Sequence, residues 1–288
     1  MSVLIYGLIS SLTLALIAIG LSFTFGVSGI ANFAYSGLYI FSAYITWQLL
    51  NAAGLPYFVA ILISILTTAI LGALVYWLVL LRVRGQVLSE VIATFALGWG
   101  ILELLRWSGL TGYGYKLPRF ADGDVEIMEV VIDYQRLIVI GTGLGLVIFI
   151  YLFTRYTKLG RSFRAIAQNE RTALSFGVES DWTAMLSLAF GSAIGAVAAV
   201  TLMPLSIIMV EEGTNVLIFA LAVGIIGGLE SIPGIIVASF ILGYAQVITA
   251  TYLSPHLIMV VALAAIMIVL LIKPSGLFGK SKELEERV

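Results

Sequence analysis

The sequence predicts an all-α, polytopic transmembrane helix bundle of about nine spans (eight to nine), with one short amphipathic helix outside the bilayer. Two observations carry that reading. Hydrophobic residues make up 61% of the 288 and charged residues only 11%, about half the charged share of a soluble domain. Apolar runs of about 20 residues recur from end to end, the length that crosses ~30 Å of hydrocarbon as a helix. The alternating ten-residue segments of a transmembrane barrel are absent. No polar stretch is long enough to bury a soluble core, so residues 1–288 read as a single transmembrane domain.

In chain order, the first run is 4–25. It lacks the basic region and small-residue cleavage site of a signal peptide and is read as a retained span. Gly26, Gly29 and Asn32 break it. Span 2 covers 34–50 and turns at Asn51, Gly54 and Pro56. Span 3, 57–81, ends at Arg82 and Arg84, and span 4 is 87–107. The polar loop 108–134 carries Asp122, Asp124, Glu126, Glu129 and Asp133. Span 5 is 137–153, the basic segment 157–178 follows, and span 6 is 182–205. Glu211 and Glu212 precede a short span 7, 216–228, and Pro233 stands before span 8, 235–250. At 1.5 Å per residue span 7 is too short to cross unaided. Spans 7 and 8 would then dip in and return, which is allowed only inside protein. Span 9 is 256–272, followed by a charged tail expected to fray.

Basic residues set the orientation. Arg82 and Arg84, then Arg155 to Arg171, then Lys273, Lys280, Lys282 and Arg287 form three groups. With nine spans all three fall on one side, the cytoplasm. The N-terminus, the acidic loop 108–134 and Glu211-Glu212 then lie outside.

The segment KLGRSFRAIAQNERTALSFGV, 158–178, holds Lys158, Arg161, Arg164 and Arg171. Each cation at mid-bilayer would cost about 2.5–3.5 kcal/mol, so the segment lies outside the hydrocarbon. Phe163, Ile166 and Leu174 fall near one helical face, and Gly177 stands at a C-cap position. Two readings fit these residues: a docking element for a soluble partner, or a solvated basic loop that fixes topology.

Zero cysteines exclude disulfides and thiolate metal sites, and His256 is the single histidine. The formal charge of −1 carries no signal for nucleic acid, and none is expected as a partner. Gly141-Thr-Gly-Leu-Gly145 lies inside span 5 and Gly191-Ser-Ala-Ile-Gly195 inside span 6, so both read as helix packing. Gly279-Lys280-Ser281 lacks the first glycine and the strand of a phosphate loop, so this chain does not itself hydrolyse ATP. Glu103 and Arg106, three apart on span 4, read as a structural pair near its outer end. Glu90 reads as reaching the inner interface. No ladder of buried carboxylates is visible, which argues against ion coupling within the chain.

Two corners interrupt the apolar pattern. Asn32-Phe-Ala-Tyr35-Ser36-Gly-Leu-Tyr39 is polar and glycine-bearing where a span begins. Unwound backbone at such depth is tolerated where it lines a cavity. Gly227-Gly-Leu-Glu230-Ser-Ile-Pro-Gly234 reads equally as a tight turn.

These stretches, with Val91-Ile-Ala-Thr94-Phe, Gly160-Arg-Ser-Phe-Arg-Ala-Ile-Ala-Gln-Asn169 and Lys273-Pro-Ser-Gly-Leu-Phe-Gly279, carry a resemblance. The chain resembles the inner-membrane permease of the branched-chain amino acid ABC importers, in the same order over nearly its whole length. The resemblance implies a prokaryotic inner-membrane subunit that imports branched-chain or other apolar amino acids by alternating access. It also implies a chain that is not an enzyme and holds no cofactor, with ATP and magnesium bound by partner subunits. The implied partners are two cytoplasmic ATPase subunits, a second homologous permease or second copy, and an external substrate-binding protein. The segment 157–178 would match the coupling element, with Gly160, Arg161, Phe163, Arg164, Ile166, Asn169, Arg171, Leu174 and Gly177 meeting an ATPase. Asn32, Tyr35, Ser36 and Thr94 would line the substrate pathway. Tyr35 stands where the family usually has His, Ser36 where it has Gly, Gly37 where an acidic residue is common, and Glu230 where a small residue is usual. Related permeases carry urea or short amides, which is the alternative substrate reading. A self-contained secondary carrier or channel is the alternative from another class.

Overall fold

The computed structural model describes residues 2–111, 114–127 and 130–279. Glu129 of the acidic loop, and Lys280, Lys282 and Arg287 of the tail, lie outside the described residues. Among the described residues, eight helices are long and apolar enough to cross a membrane: α1 (Ser2–Ser28), α3 (Tyr57–Val83), α4 (Val87–Trp107), α5 (Tyr134–Tyr156), α8 (Ser180–Leu202), α9 (Val210–Gly227), α10 (Ile232–Tyr252) and α11 (Pro255–Ile272). The ninth expected span is α2 (Tyr35–Asn51), 17 residues long, with ten of them buried. Two short helices, α6 (Lys158–Gln168) and α7 (Glu170–Ser175), connect α5 to α8. The fold is therefore an all-α polytopic bundle.

Helix α1 is its centre. Every residue from Leu14 to Thr24 is buried, the mark of a helix surrounded by protein. It packs most extensively on α10, then on α8, α9 and α5. Small residues let α1 and α8 close on each other. A Cβ on Gly191 would meet the Gly20 carbonyl oxygen and the Thr24 side chain, so the Gly191–Gly195 pattern does serve packing. Peripheral helices bury one stripe. On α3 it is Ala60, Ser64, Thr68, Gly72 and Val75, and on α4 it is Glu90, Thr94, Gly98, Leu102 and Leu105. A spacing of three to four residues keeps each stripe on one face.

The structure sharpens four local expectations. Span 7 is not short: α9 has 18 residues, ~27 Å of helix. It begins at Val210 because Glu211 and Glu212 join its first turn, where the helix dipole favours carboxylates. Glu90, at the inner end of α4, is covered by protein and faces no open solvent. It is 3% exposed, and its Oε1 accepts from the Gly85 N–H at 2.8 Å. In the Gly141–Gly145 pattern only Gly143 approaches a neighbour, near the Leu12 carbonyl of α1, while Gly141 and Gly145 meet nothing within 4 Å. The acidic loop contains an antiparallel hairpin, β1 (Asp124–Ile127) on β2 (Val130–Asp133), with Asp124 opposite Asp133.

Candidate functional site

The basic segment is built by three caps. Thr157 Oγ1 accepts from the Gly160 N–H at 2.9 Å and starts α6. Gly160 crosses so close to Phe153 and Thr154 of α5 that no side chain fits there. Asn169 ends α6 in extended backbone, and its Oδ1 accepts from the Thr172 N–H at 2.9 Å to start α7. Gly177 closes α7 at φ +80°, with its own N–H on the Leu174 carbonyl and the Val178 N–H on Ala173. The segment is thus two helices in place of the single one expected, because the Asn169 side chain competes for the backbone.

Its apolar face points inward. Phe163 is 2% exposed and Ile166 7%. The Phe163 ring meets Phe23 of α1 edge-on at 5.6 Å and lies 6.1 Å from Phe153, which stacks on Phe190 of α8 at 4.5 Å. Phe163 and Ile166 therefore anchor the segment to its own bundle, and neither side chain lies on its open face. Leu174 is half exposed. Phe176, which the sequence reading passed over, is 84% exposed. It lies beyond the helical stripe, beside the Gly177 cap, so periodicity gave no signal for it. Arg161, Arg164 and Arg171 face outward with it.

A second tie is ionic. Arg84, just past the end of α3, contacts Glu170 of α7 and both Asp181 and Ser180 at the start of α8. Tyr76 donates to the same Asp181 carboxylate at 2.8 Å. Aromatic contacts hold α6 against α1, α5 and α8, and Arg84 holds α7 against α3 and α8.

The other candidate residues meet inside the bundle. Residues 29–34 run without helix between α1 and α2. The Thr94 hydroxyl, on the eighth residue of α4, donates to the Ala31 carbonyl at 3.2 Å, so this unwound stretch reaches membrane depth. Asn32 Oδ1 accepts from the Ala34 N–H at 3.1 Å, and the Ser36 hydroxyl donates to the Phe33 carbonyl at 3.2 Å. Gly98 makes room: a Cβ there would meet the Phe33 carbonyl at 2.8 Å. Tyr35 points the other way. Its ring sits between Gly20 and Gly195, and its hydroxyl donates to the Ile17 carbonyl at 2.7 Å. Asn32, Tyr35, Ser36 and Thr94 are all 5% exposed or less. Asn32, Ser36 and Thr94 are brought together, while Tyr35 faces α1 and α8. The unwound backbone is sheathed by protein, which is how a bilayer tolerates it.

The 227–234 corner is a turn, and the tail returns to it. The Leu277 and Phe278 N–H groups donate to the Ile226 and Gly227 carbonyls at 2.8 and 3.0 Å. The Ser231 hydroxyl oxygen accepts from the Gly234 N–H at 3.1 Å and starts α10.

Among the described residues, eight membrane-length apolar helices and α2 enclose an unwound stretch, with a basic helix pair against one end, and this is the architecture of a polytopic membrane protein. The chain belongs to the family described as branched-chain amino acid transport system permease components, whose model matches residues 3–271. It is 29% identical to the high-affinity branched-chain amino acid transport system permease protein LivH of Escherichia coli K12, covering 93% of this chain and 92% of that one. It is also 29% identical to the permease protein BraD of Pseudomonas aeruginosa, over 96% and 95%. The probable LivH of Methanocaldococcus jannaschii is 25% identical over 94% and 90%. A solved structure, PsaBC from Streptococcus pneumoniae in complex with Fab, shares the fold at TM-score 0.53 and 14% identity, over 96% of this chain and 94% of that one.

Proposed function

We propose that this chain is a transmembrane subunit of an ATP-driven importer for branched-chain or other apolar amino acids, working by alternating access in a prokaryotic inner membrane. The named relatives support the substrate class. The observation that carries the mechanism is the α6–α7 pair, locked inward by Phe163 and Arg84 and presenting three arginines, Leu174 and Phe176 outward. Residues 1–288 act as one domain. The N-terminus and the 108–134 segment face outside, and the 157–178 segment and C-terminus face the cytoplasm. Two ATPase subunits, carrying ATP and magnesium, dock on the 157–178 segments of this chain and of a second permease. An external binding protein delivers substrate. ATPase closure pushes α6–α7, and Phe163 passes the push to α1 through Phe23. Asn32, Tyr35, Ser36 and Thr94 line the pathway when the bundle opens. The test is reconstitution of the permease pair with its ATPases and binding protein in liposomes. ATP-dependent leucine uptake is expected, and its absence would overturn the reading.

A further inference from the structure

At the end of the bundle away from α6–α7, one guanidinium serves two helices. Arg106 Nη1 donates to Glu103 Oε1 of α4 at 2.5 Å, and Nη2 to Glu211 Oε1 of α9 at 3.1 Å. Two carboxylates share one cation, so the cluster carries a formal charge of −1. Glu211 is the more open of the two acids, with 70% of its side chain exposed. Beside the cluster lies a cavity of about 310 Å³, whose wall includes Trp99, Leu102 and Asn215. That volume is at the small end for ligand pockets, right for one amino acid and too small for a peptide.

We propose that this cavity is an outward-facing subsite for a free, apolar α-amino acid, a role that rests on the importer reading. The ligand's ammonium meets Glu211, the more open of the two acids that share Arg106. Its carboxylate takes the amide of Asn215 and the remaining N–H groups of Arg106. Its side chain lies on Trp99 and Leu102, the dry wall of the cavity. The wall combines both charge signs with an aromatic surface, which is the pattern a zwitterion with an apolar tail presents.

Position supplies a second, independent argument. Gly213 lies between Glu211 and Asn215 on α9 but on the face turned inward. A Cβ on it would fall 3.0 Å from the Ser36 carbonyl oxygen and 3.2 Å from Leu102. The floor of the cavity and the membrane-depth corner therefore meet at one glycine. A ligand in the cavity sits one packing layer from Ser36, at the mouth of the proposed pathway.

The test uses the full permease–ATPase complex in nanodiscs of phosphatidylcholine, without aminolipid and without binding protein, and reads tritiated leucine by scintillation proximity. Glu211→Gln preserves shape, and Trp99→Ala removes the apolar wall. Each is expected to weaken leucine binding about tenfold. Isocaproate and isoamylamine, each lacking one charge, should fail to displace leucine. Equal binding by wild type and both variants would overturn the site and leave Arg106 as a brace between α4 and α9. Variants that bind leucine normally but lose the binding protein in co-sedimentation would overturn it in favour of a protein contact. Uptake by the complete wild-type system separates the two readings. Uptake without nanodisc binding sinks only the subsite, whereas neither uptake nor binding sinks the importer reading as well.

Discussion

Phe163 of α6 stands edge-on to Phe23 of α1, with ring centroids 5.6 Å apart and planes at 76°. Six residues earlier on α1, the Ile17 carbonyl accepts from Tyr35 at 2.7 Å. Six residues of helix span ~9 Å. One buried, rigid helix thus joins the basic segment to the unwound corner, and both ends of the link are specific contacts.

That link makes Phe163 internal. We predict that Phe163→Ala destabilises the permease by about 3–5 kcal/mol, the usual result of emptying a packed aromatic site. Thermal unfolding of the isolated permease in detergent reads this directly. Uptake should fall with it. An unchanged unfolding temperature together with release of the ATPases would instead make Phe163 an interface residue.

We predict that docking on an ATPase subunit falls to Phe176 and Leu174, apolar side chains that face outward on α7 and at its end. Phe176→Ala should leave the permease as stable as wild type. It should weaken ATPase association by about 2 kcal/mol, roughly thirtyfold. Co-purification across a dilution series measures this. The exposed arginines should matter less, and their contribution should fade as salt rises. Full ATPase retention in a Leu174→Asp, Phe176→Asp double variant would place the docking surface elsewhere.

Much of this was legible in the sequence. Apolar runs against Arg82, Arg84 and the Lys158–Arg171 cluster fix nine helices and their breaks, because a bilayer leaves few other solutions for the backbone. Gly177 could be read as a helix end, whereas the break at Asn169 could not, because nothing in the periodicity marks its side chain as taking the Thr172 N–H. What periodicity could not show is which face of a short helix turns home. Phe163 and Ile166 fit a partner's groove or this chain's own core equally well until Phe23 and Phe190 are placed beside them. Arg84 was visible as a topology signal, but its partners Glu170 and Asp181 are 86 and 97 residues away. Glu103 and Arg106 sit three apart and were found, whereas Glu211, 105 residues from Arg106, was not.

The hairpin titrates. Asp124 faces Asp133 across the ladder, and the hydrogen bond to Asp133 raises its pKa from the usual carboxylate value, with slight desolvation and the like charge adding to the rise and Arg119 opposing it. The folded hairpin then holds its proton to higher pH than the unfolded chain does. Its contribution is full below the unfolded pKa and is lost as pH rises through the raised folded value. The protection factors of the Val125 and Ile132 amides, with the intrinsic pH dependence of exchange divided out, should therefore rise on acidification through that window. Asp124→Asn keeps the hydrogen bond without the charge, so it should hold the slow exchange at neutral pH. A variant with unaltered pH dependence would show that this pair does not control the strand.

Tyr35 tests whether the corner belongs to the pathway. Its ring is accommodated because Gly20 and Gly195 flank it, and its hydroxyl donates to the Ile17 carbonyl. Tyr35→Ala empties a fully buried site and should cost about 3–5 kcal/mol whatever the function, so loss of uptake in that variant is uninformative. Tyr35→Phe keeps the ring and removes one hydrogen bond, worth about 1 kcal/mol. Its stability should be close to wild type. If α1 drives the corner through that bond, uptake should fall several-fold while ATPase binding and basal hydrolysis persist. Gly195→Ala presses on the same ring, where a Cβ would lie 2.7 Å from it, and should reproduce the loss of uptake with intact ATPase association. Wild-type uptake in Tyr35→Phe, with the permease folded and its ATPases bound, would reduce the corner to a turn between two helices.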